Sequence, residues 1–125
     1  MKIVMIDDDR ELGELTCKVL QREGFDVQFF DHAGEGIAHA REDVPDLILM
    51  DMMMPAMSGE DAIRMIRTDA ELMHVPILCL TGLVAGAETQ IGESGINING
   101  NYYPALGKPF DKDQLISSID YYLKR

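Results

Sequence analysis

The chain has 125 residues, the size of one domain that can bury most of its apolar surface, and residues 1–125 are expected to form it. Its 22 acidic and 11 basic residues give a net charge of −11. That balance argues against direct nucleic-acid binding, which needs a basic footprint, and suits protein partners. No apolar stretch reaches membrane-spanning length, and Met1-Lys2 leads into a strand signal rather than a signal peptide, so a cytoplasmic protein is expected. In chain order, Ile3-Val4-Met5-Ile6 reads as the first strand and runs into Asp7-Asp8-Asp9. Leu12, Leu15, Val19 and Leu20 then share one helical face, and Gly24 stops that helix. Residues 26–30 give a second strand, and 33–42 a short helix with Ile37 and Ala40 as its apolar stripe. The third strand, 46–50, empties into Asp51 and a loop. Ser58 caps the next helix, which carries Ala62, Ile63 and Ile66. Residues 76–80 form the fourth strand and end at Thr81. Residues 84–95 are a weak helix at best, and 95–100 read as a polar loop. Tyr102-Tyr103-Pro104-Ala105-Leu106 is the fifth strand signal, ahead of Lys108-Pro109. Asp111 and Gln114 then open a helix that buries Leu115, Ile116, Ile119 and Leu123.

Apolar runs without alternation mark strands covered on both faces, as in a parallel sheet. Five alternating βα units predict an α/β fold: a doubly wound, five-stranded parallel sheet of flavodoxin-like (βα)5 type. Pro104 places the fifth strand at an edge, and the apolar first strand belongs in the centre. Strand order 2-1-3-4-5 meets both conditions and sets the ends of strands 1 and 3 side by side, where ligands bind in such sheets.

Asp7, Asp8 and Asp51 then converge, with Thr81 and Lys108 on the same edge. Three carboxylates need a cation among them. Hard oxygen donors with no Cys or His beside them select Mg²⁺ or Mn²⁺. A carboxylate next to such an ion, an ammonium and a hydroxyl form the equipment of phosphoryl transfer to an aspartate: Asp51 attacks, Lys108 neutralises and Thr81 hydrogen-bonds the product. Simpler readings accompany each residue. Asp7-Asp8-Asp9 can be a helix cap, a role assigned to Asp9; Lys108 can be a surface lysine and Thr81 a turn hydroxyl. Met52-Met53-Met54 reads as adaptable packing, Cys17 and Cys79 as buried free thiols in a reducing compartment. His32, His39 and His74 read as exposed positions far from the strand ends.

With these residues in place the chain resembles a response-regulator receiver domain of two-component signalling, of the chemotaxis-regulator kind. The resemblance runs from Lys2 to the C-terminus. It rests on Asp7-Asp8, on Asp51-Met52-Met53-Met54-Pro55 with Gly59, on Thr81-Gly82 and on Lys108-Pro109-Phe110. It implies that Asp51 is the phosphoacceptor and that Asp7, Asp8, Asp51 and the backbone carbonyl of Met53 hold Mg²⁺. Thr81 and Lys108 then bind the phosphoryl oxygens, and Gly82 is the small residue beside the threonine. The implied partners are a sensor histidine kinase or histidine phosphotransfer protein and a downstream protein or output domain, with room for a homodimer. The implied protein is a phosphoacceptor that assists its own phosphotransfer and dephosphorylation rather than an enzyme. Two features depart from the family pattern. Ala105 stands where an aromatic residue usually precedes the lysine, and residues 96–101 lengthen the face used for output.

Two other functions stay in view. One is a pseudo-receiver acting as an interaction module. The other is an aspartyl-phosphate hydrolase of the haloacid-dehalogenase type, with Asp7 as nucleophile and Asp9 as acid, although Glu11 occupies the position where that pattern has threonine.

Overall fold

A computed structural model describes residues 1–81, 95–98 and 100–123. In chain order they form β1 (Lys2–Ile6), α1 (Arg10–Arg22), β2 (Asp26–Phe30), α2 (Ala33–Glu42), β3 (Leu47–Asp51), α3 (Gly59–Arg67), β4 (Ile77–Thr81), β5 (Gly95–Ile98), β6 (Asn101–Gly107) and α4 (Lys112–Leu123). The expected α/β architecture is present. β1 pairs in parallel with both β2 and β3, and β4 pairs in parallel with β3 and β6.

Continuous apolar strands follow from burial on both faces. Val4, Ile6, Ile48, Met50, Ile77 and Cys79 face one core with Ile37, Ala40 and Ile63 of α2 and α3. Ile3, Met5, Leu47, Leu49, Leu78 and Leu80 face the other, with Leu20 of α1 and Ile119 of α4. In β1, β3 and β4 no polar alternation survives because neither face meets water, whereas β2 exposes Asp26 and Gln28 on either side of buried Val27. The caps also follow the sequence. Asp9 accepts from the Leu12 amide and Ser58 from the Asp61 amide, while Asp111 and Gln114 make a reciprocal pair at 2.8 and 2.9 Å. Gly24, at φ +94°, turns the chain after α1.

Three expectations are corrected. The sheet has six strands in the order β2-β1-β3-β4-β6-β5, because 95–98 is an antiparallel strand paired with β6 and not a loop. The antiparallel pairing runs as far as Ile98 opposite Asn101. The strand carrying Pro104 is consequently not an edge. Pro104 sits where β6 passes from β5, which it meets at Gly95, to β4, which it meets from Ala105 onward. A residue without an amide hydrogen is tolerated at such a changeover. The third correction concerns α1, whose buried face is Gly13, Thr16, Cys17 and Leu20, while Leu15 is 61% exposed. The helix expected over 84–95 and the small residue Gly82 fall outside the described residues, apart from Gly95, which starts β5.

Candidate functional site

The parallel strands bring their carboxyl ends to one edge, and their register sets the site. Ile6 pairs with Met50, Asp51 with Leu80, and Thr81 with Gly107, so Asp7, Asp51, Thr81 and Lys108 follow one another across adjacent strands. Carboxylate oxygens of Asp7, Asp8 and Asp51 all lie within 4.8 Å of one another. Lys108 Nζ donates to Asp7 Oδ2 at 2.8 Å and lies 3.5 Å from Asp51 Oδ1. The Asp9 amide donates to Asp7 Oδ1 at 2.9 Å, and the Met53 amide to Asp51 Oδ1 at 3.2 Å. Asp7 and Asp51 are buried, as is Thr81; Asp8 is exposed at the mouth.

Local structure holds this arrangement. The Lys108 amide donates to the Thr81 carbonyl at 2.9 Å, tying the end of β6 to that of β4, and the peptide bond from Lys108 to Pro109 is cis. Gly59 lets α3 start hard against the end of β3. A Cβ there would stand 2.7 Å from the Asp51 carbonyl oxygen and 2.6 Å from Met52 Sδ.

The electrostatics are unbalanced, with three carboxylates facing one ammonium. Burial, reinforced by the Asp51 charge, pushes the Asp7 carboxyl above the usual range against the pull of Lys108. Asp8 is pushed up too, by sharing a proton with Asp51 and then by burial. Burial also opposes ionisation of Asp51, but the proton shared from Asp8, the Met53 amide and Lys108 outweigh it and hold Asp51 low. Burial acts against the Lys108 ammonium, yet Asp7 and Asp51 raise it. The site is thus a cluster of hard oxygen donors carrying excess negative charge, with one lysine fixed across it.

Asp7, Asp8, Asp51 and Lys108 lie together at the strand ends, and the Asp9 side chain is occupied as the α1 cap. Met53 is 63% exposed, whereas Met52 is buried and Met54 packs against the core, in keeping with adaptable packing around the loop. Cys17 and Cys79 are buried and free, with burial pushing their thiols up to about 11 and about 12. His74 is exposed as expected. His39 is half-buried against the Phe30 ring, and His32 lies beside the strand ends rather than far from them, in a cleft that Asp8 also lines.

Comparisons with known proteins agree with this geometry. The family model "Response regulator receiver domain" matches residues 3–120. The DNA-binding response regulator MtrA of Mycobacterium tuberculosis is 34% identical over 99% of this chain and 51% of its own. The transcriptional regulatory protein CpxR of Escherichia coli is 33% identical over 99% of this chain and 50% of its own. The chain therefore spans about half the length of these relatives. Among solved structures, the chemotaxis protein CheY4 of Vibrio cholerae superposes with a TM-score of 0.80 at 25% identity, covering 96% of each chain. From the strand-end carboxylates to the family match, the observations converge: this chain belongs to the response-regulator receiver domain family.

Proposed function

We propose that the chain accepts a phosphoryl group on Asp51 from a phosphohistidine of a sensor kinase or phosphotransfer protein and signals to a partner protein or output domain. The observation that carries this reading is the placement of Asp51: buried, ionised more readily than its neighbours, and 3.5 Å from Lys108 Nζ. An Asp51 oxygen forms the new P–O bond as the P–N bond of the donor breaks, and the donor imidazole leaves with that electron pair. Lys108, already bridging Asp7 and Asp51, neutralises the oxygens of the transferring group. Thr81, at the end of β4 and tied through its carbonyl to Lys108, supplies the hydroxyl for the product.

Asp7, Asp8 and Asp51 fit Mg²⁺, because they are hard oxygen donors within reach of one ion and their charge exceeds what Lys108 balances. The Met53 carbonyl is the fourth protein ligand in this reading. When bound, Mg²⁺ supplies neutralisation of the charge on the phosphoryl oxygens. Asp9, as the α1 cap, is poorly placed for the general acid of a dehalogenase-type hydrolase, which supports Asp51 over Asp7 as the nucleophile. The acidic surface supports protein partners for this domain, and the DNA binding in MtrA's name belongs to a longer protein. Among the described residues no helix is long and apolar enough to cross a membrane.

Acetyl phosphate with Mg²⁺ tests the assignment. Intact mass should rise by one phosphate in the parent, and Asp51→Asn should not be labelled. Equal labelling of that variant would remove Asp51 from the role.

A further inference from the structure

Beside the carboxylates, the β2–α2 connection and the β3–α3 loop enclose a cleft of about 380 Å³, within the size range of small-ligand sites. Met54, Pro55, Ala56 and Met57 form one wall, and Ala33 and Gly34 the other. Asp8, Asp31 and His32 complete the lining. The polar groups are arranged as acceptors. Asp31 takes Arg10 Nη1 on one oxygen at 2.7 Å and faces His32 Nδ1 with the other at 2.8 Å. An ionised carboxylate only accepts, so Nδ1 carries the proton, and in that tautomer Nε2 is left to accept. No salt bridge among the described residues involves Asp8.

We propose that this cleft binds a small organic cation, an apolar ammonium or amidinium, with its hydrocarbon body against Met54, Met57 and Ala33 and its charged end held by Asp8 and His32. Thioether walls adapt to an apolar body of varied shape, and a molecule of net charge −11 favours a positive one. Size commits the occupant to a small molecule. Two short loops and one carboxylate enclose the cleft, whereas a stable protein interface buries about 800 Å² on each partner. Because Asp8 also belongs to the carboxylate cluster, the ligand and Mg²⁺ compete. That competition rests on the receiver reading, while the cleft itself does not.

The test uses 2-phenylethylamine, with 2-phenylethanol and 3-phenylpropanoate as neutral and anionic counterparts, titrated into the ¹⁵N-labelled chain and followed by amide chemical shifts. The amine should shift the amides of Asp8, of residues 31–34 and of Met54, Ala56 and Met57, and bind about tenfold or more tightly than the alcohol, the worth of one charge-assisted contact. The propanoate should leave those residues unmoved. Gly34 lines the cleft and a Cβ there meets nothing within 4 Å, so Gly34→Leu adds bulk at the cleft wall from the first turn of α2. It should weaken the amine about tenfold while leaving the melting temperature in place. If Gly34→Leu fails to fold, Ala56→Leu makes the same obstruction from the opposite loop. Saturating Mg²⁺ should weaken the amine, and phosphorylation by acetyl phosphate, read separately, tells failure of the cleft from failure of the receiver reading. Equal affinity for amine and alcohol would overturn the proposal, as would shifts confined to residues other than Asp8 and the two loops or full amine binding in both filled variants. Binding of a basic, aromatic-containing peptide where the amine fails would also overturn it, by giving the cleft to a protein.

Discussion

The carboxylate cluster and the anchor built around Arg67 are both polar constellations at the margins of the same sheet, and they are opposite in design. Arg67 leaves the last turn of α3 and donates Nε to the Tyr103 hydroxyl at 3.0 Å. Its remaining nitrogens donate to the carbonyls of Leu72, Met73 and Val75, the latter two at 2.9 Å. Its guanidinium carbon stands 5.3 Å from the centroid of the buried Tyr103 ring. One cation is thus absorbed by neutral acceptors from the α3–β4 connection and from β6. At the cluster, three carboxyl groups share one lysine and charge is left over. A satisfied network fixes structure, whereas an unsatisfied one favours a ligand that completes it. The first should carry stability and little chemistry, and the second the reverse.

Removing the anchor is the harshest way to break this comparison. Arg67→Ala should cost about 2–3 kcal/mol, since several charge-assisted hydrogen bonds are lost and buried carbonyls lose a partner. Tyr103→Phe removes only the hydroxyl and should cost about 1 kcal/mol. Arg67→Lys should recover little, because a single ammonium cannot reproduce the fork that reaches both Tyr103 and Val75. Denaturant midpoints at constant m-value measure all three. Phosphorylation of Asp51 by acetyl phosphate should persist in each variant that remains folded. A loss below about 0.5 kcal/mol for Arg67→Ala would reduce the anchor to an ordinary surface contact.

A carboxylate removed from the cluster should act with the opposite sign. Asp8→Asn lowers repulsion at the metal-free site and should raise stability by about 1 kcal/mol, the scale of like charges about 4 Å apart in bulk water, since Asp8 is exposed. The same change should abolish the increase in melting temperature that Mg²⁺ gives the parent, because a ligand that binds only the folded state stabilises it by mass action. Stability that falls in Asp8→Asn without Mg²⁺ would mean that the carboxylates are already balanced within the chain.

The contrast also marks what the sequence made legible. The cluster was readable because each member ends an apolar run that could only be a buried strand, and parallel strands carry such ends to one edge. The Asp111 and Gln114 cap was readable for the same local reason. The β5–β6 pair leaves little trace in the sequence, since Gly95, Asn97, Asn99 and Gly100 read as a loop and Ile96-Asn97-Ile98 is too short to show alternation. Asn99-Gly100 was the available signal, the dipeptide favoured in two-residue hairpins. Without β5 in view, β6 reads as an edge and Pro104 as its marker. The Arg67 anchor left no sequence trace, because a basic residue in the last turn of a helix is expected from the helix dipole alone. Its partners come from the α3–β4 connection and from β6, a contact across 36 residues.

The smallest effect expected is on pH dependence, and it sharpens the comparison because the anchor has no part in it. Asp7 and Asp8 hold their protons more tightly than ordinary carboxyls, whose value is 3.8, while Asp51 holds its proton less tightly. For a raised carboxyl the folded state binds the proton better than the unfolded one. Its contribution is therefore full below 3.8 and is lost as pH rises through the folded value. Asp51 has the opposite sign, contributing above 3.8 and losing that contribution as pH falls through its lowered value. Mg²⁺ needs all three groups ionised, so acidification should weaken it first through Asp7 and Asp8, at a pH still above 3.8. The rise in melting temperature on adding Mg²⁺ should therefore shrink on acidification before ordinary surface carboxyls titrate. In Asp8→Asn the metal-free stability should depend less on pH across that interval, while Tyr103→Phe should follow the parent's pH profile at a constant offset. An Mg²⁺ effect that persists unchanged down to pH 3.8 would mean that Asp7 and Asp8 are as acidic as exposed groups, and that the cluster's excess charge is dispersed into solvent instead of being held for a cation.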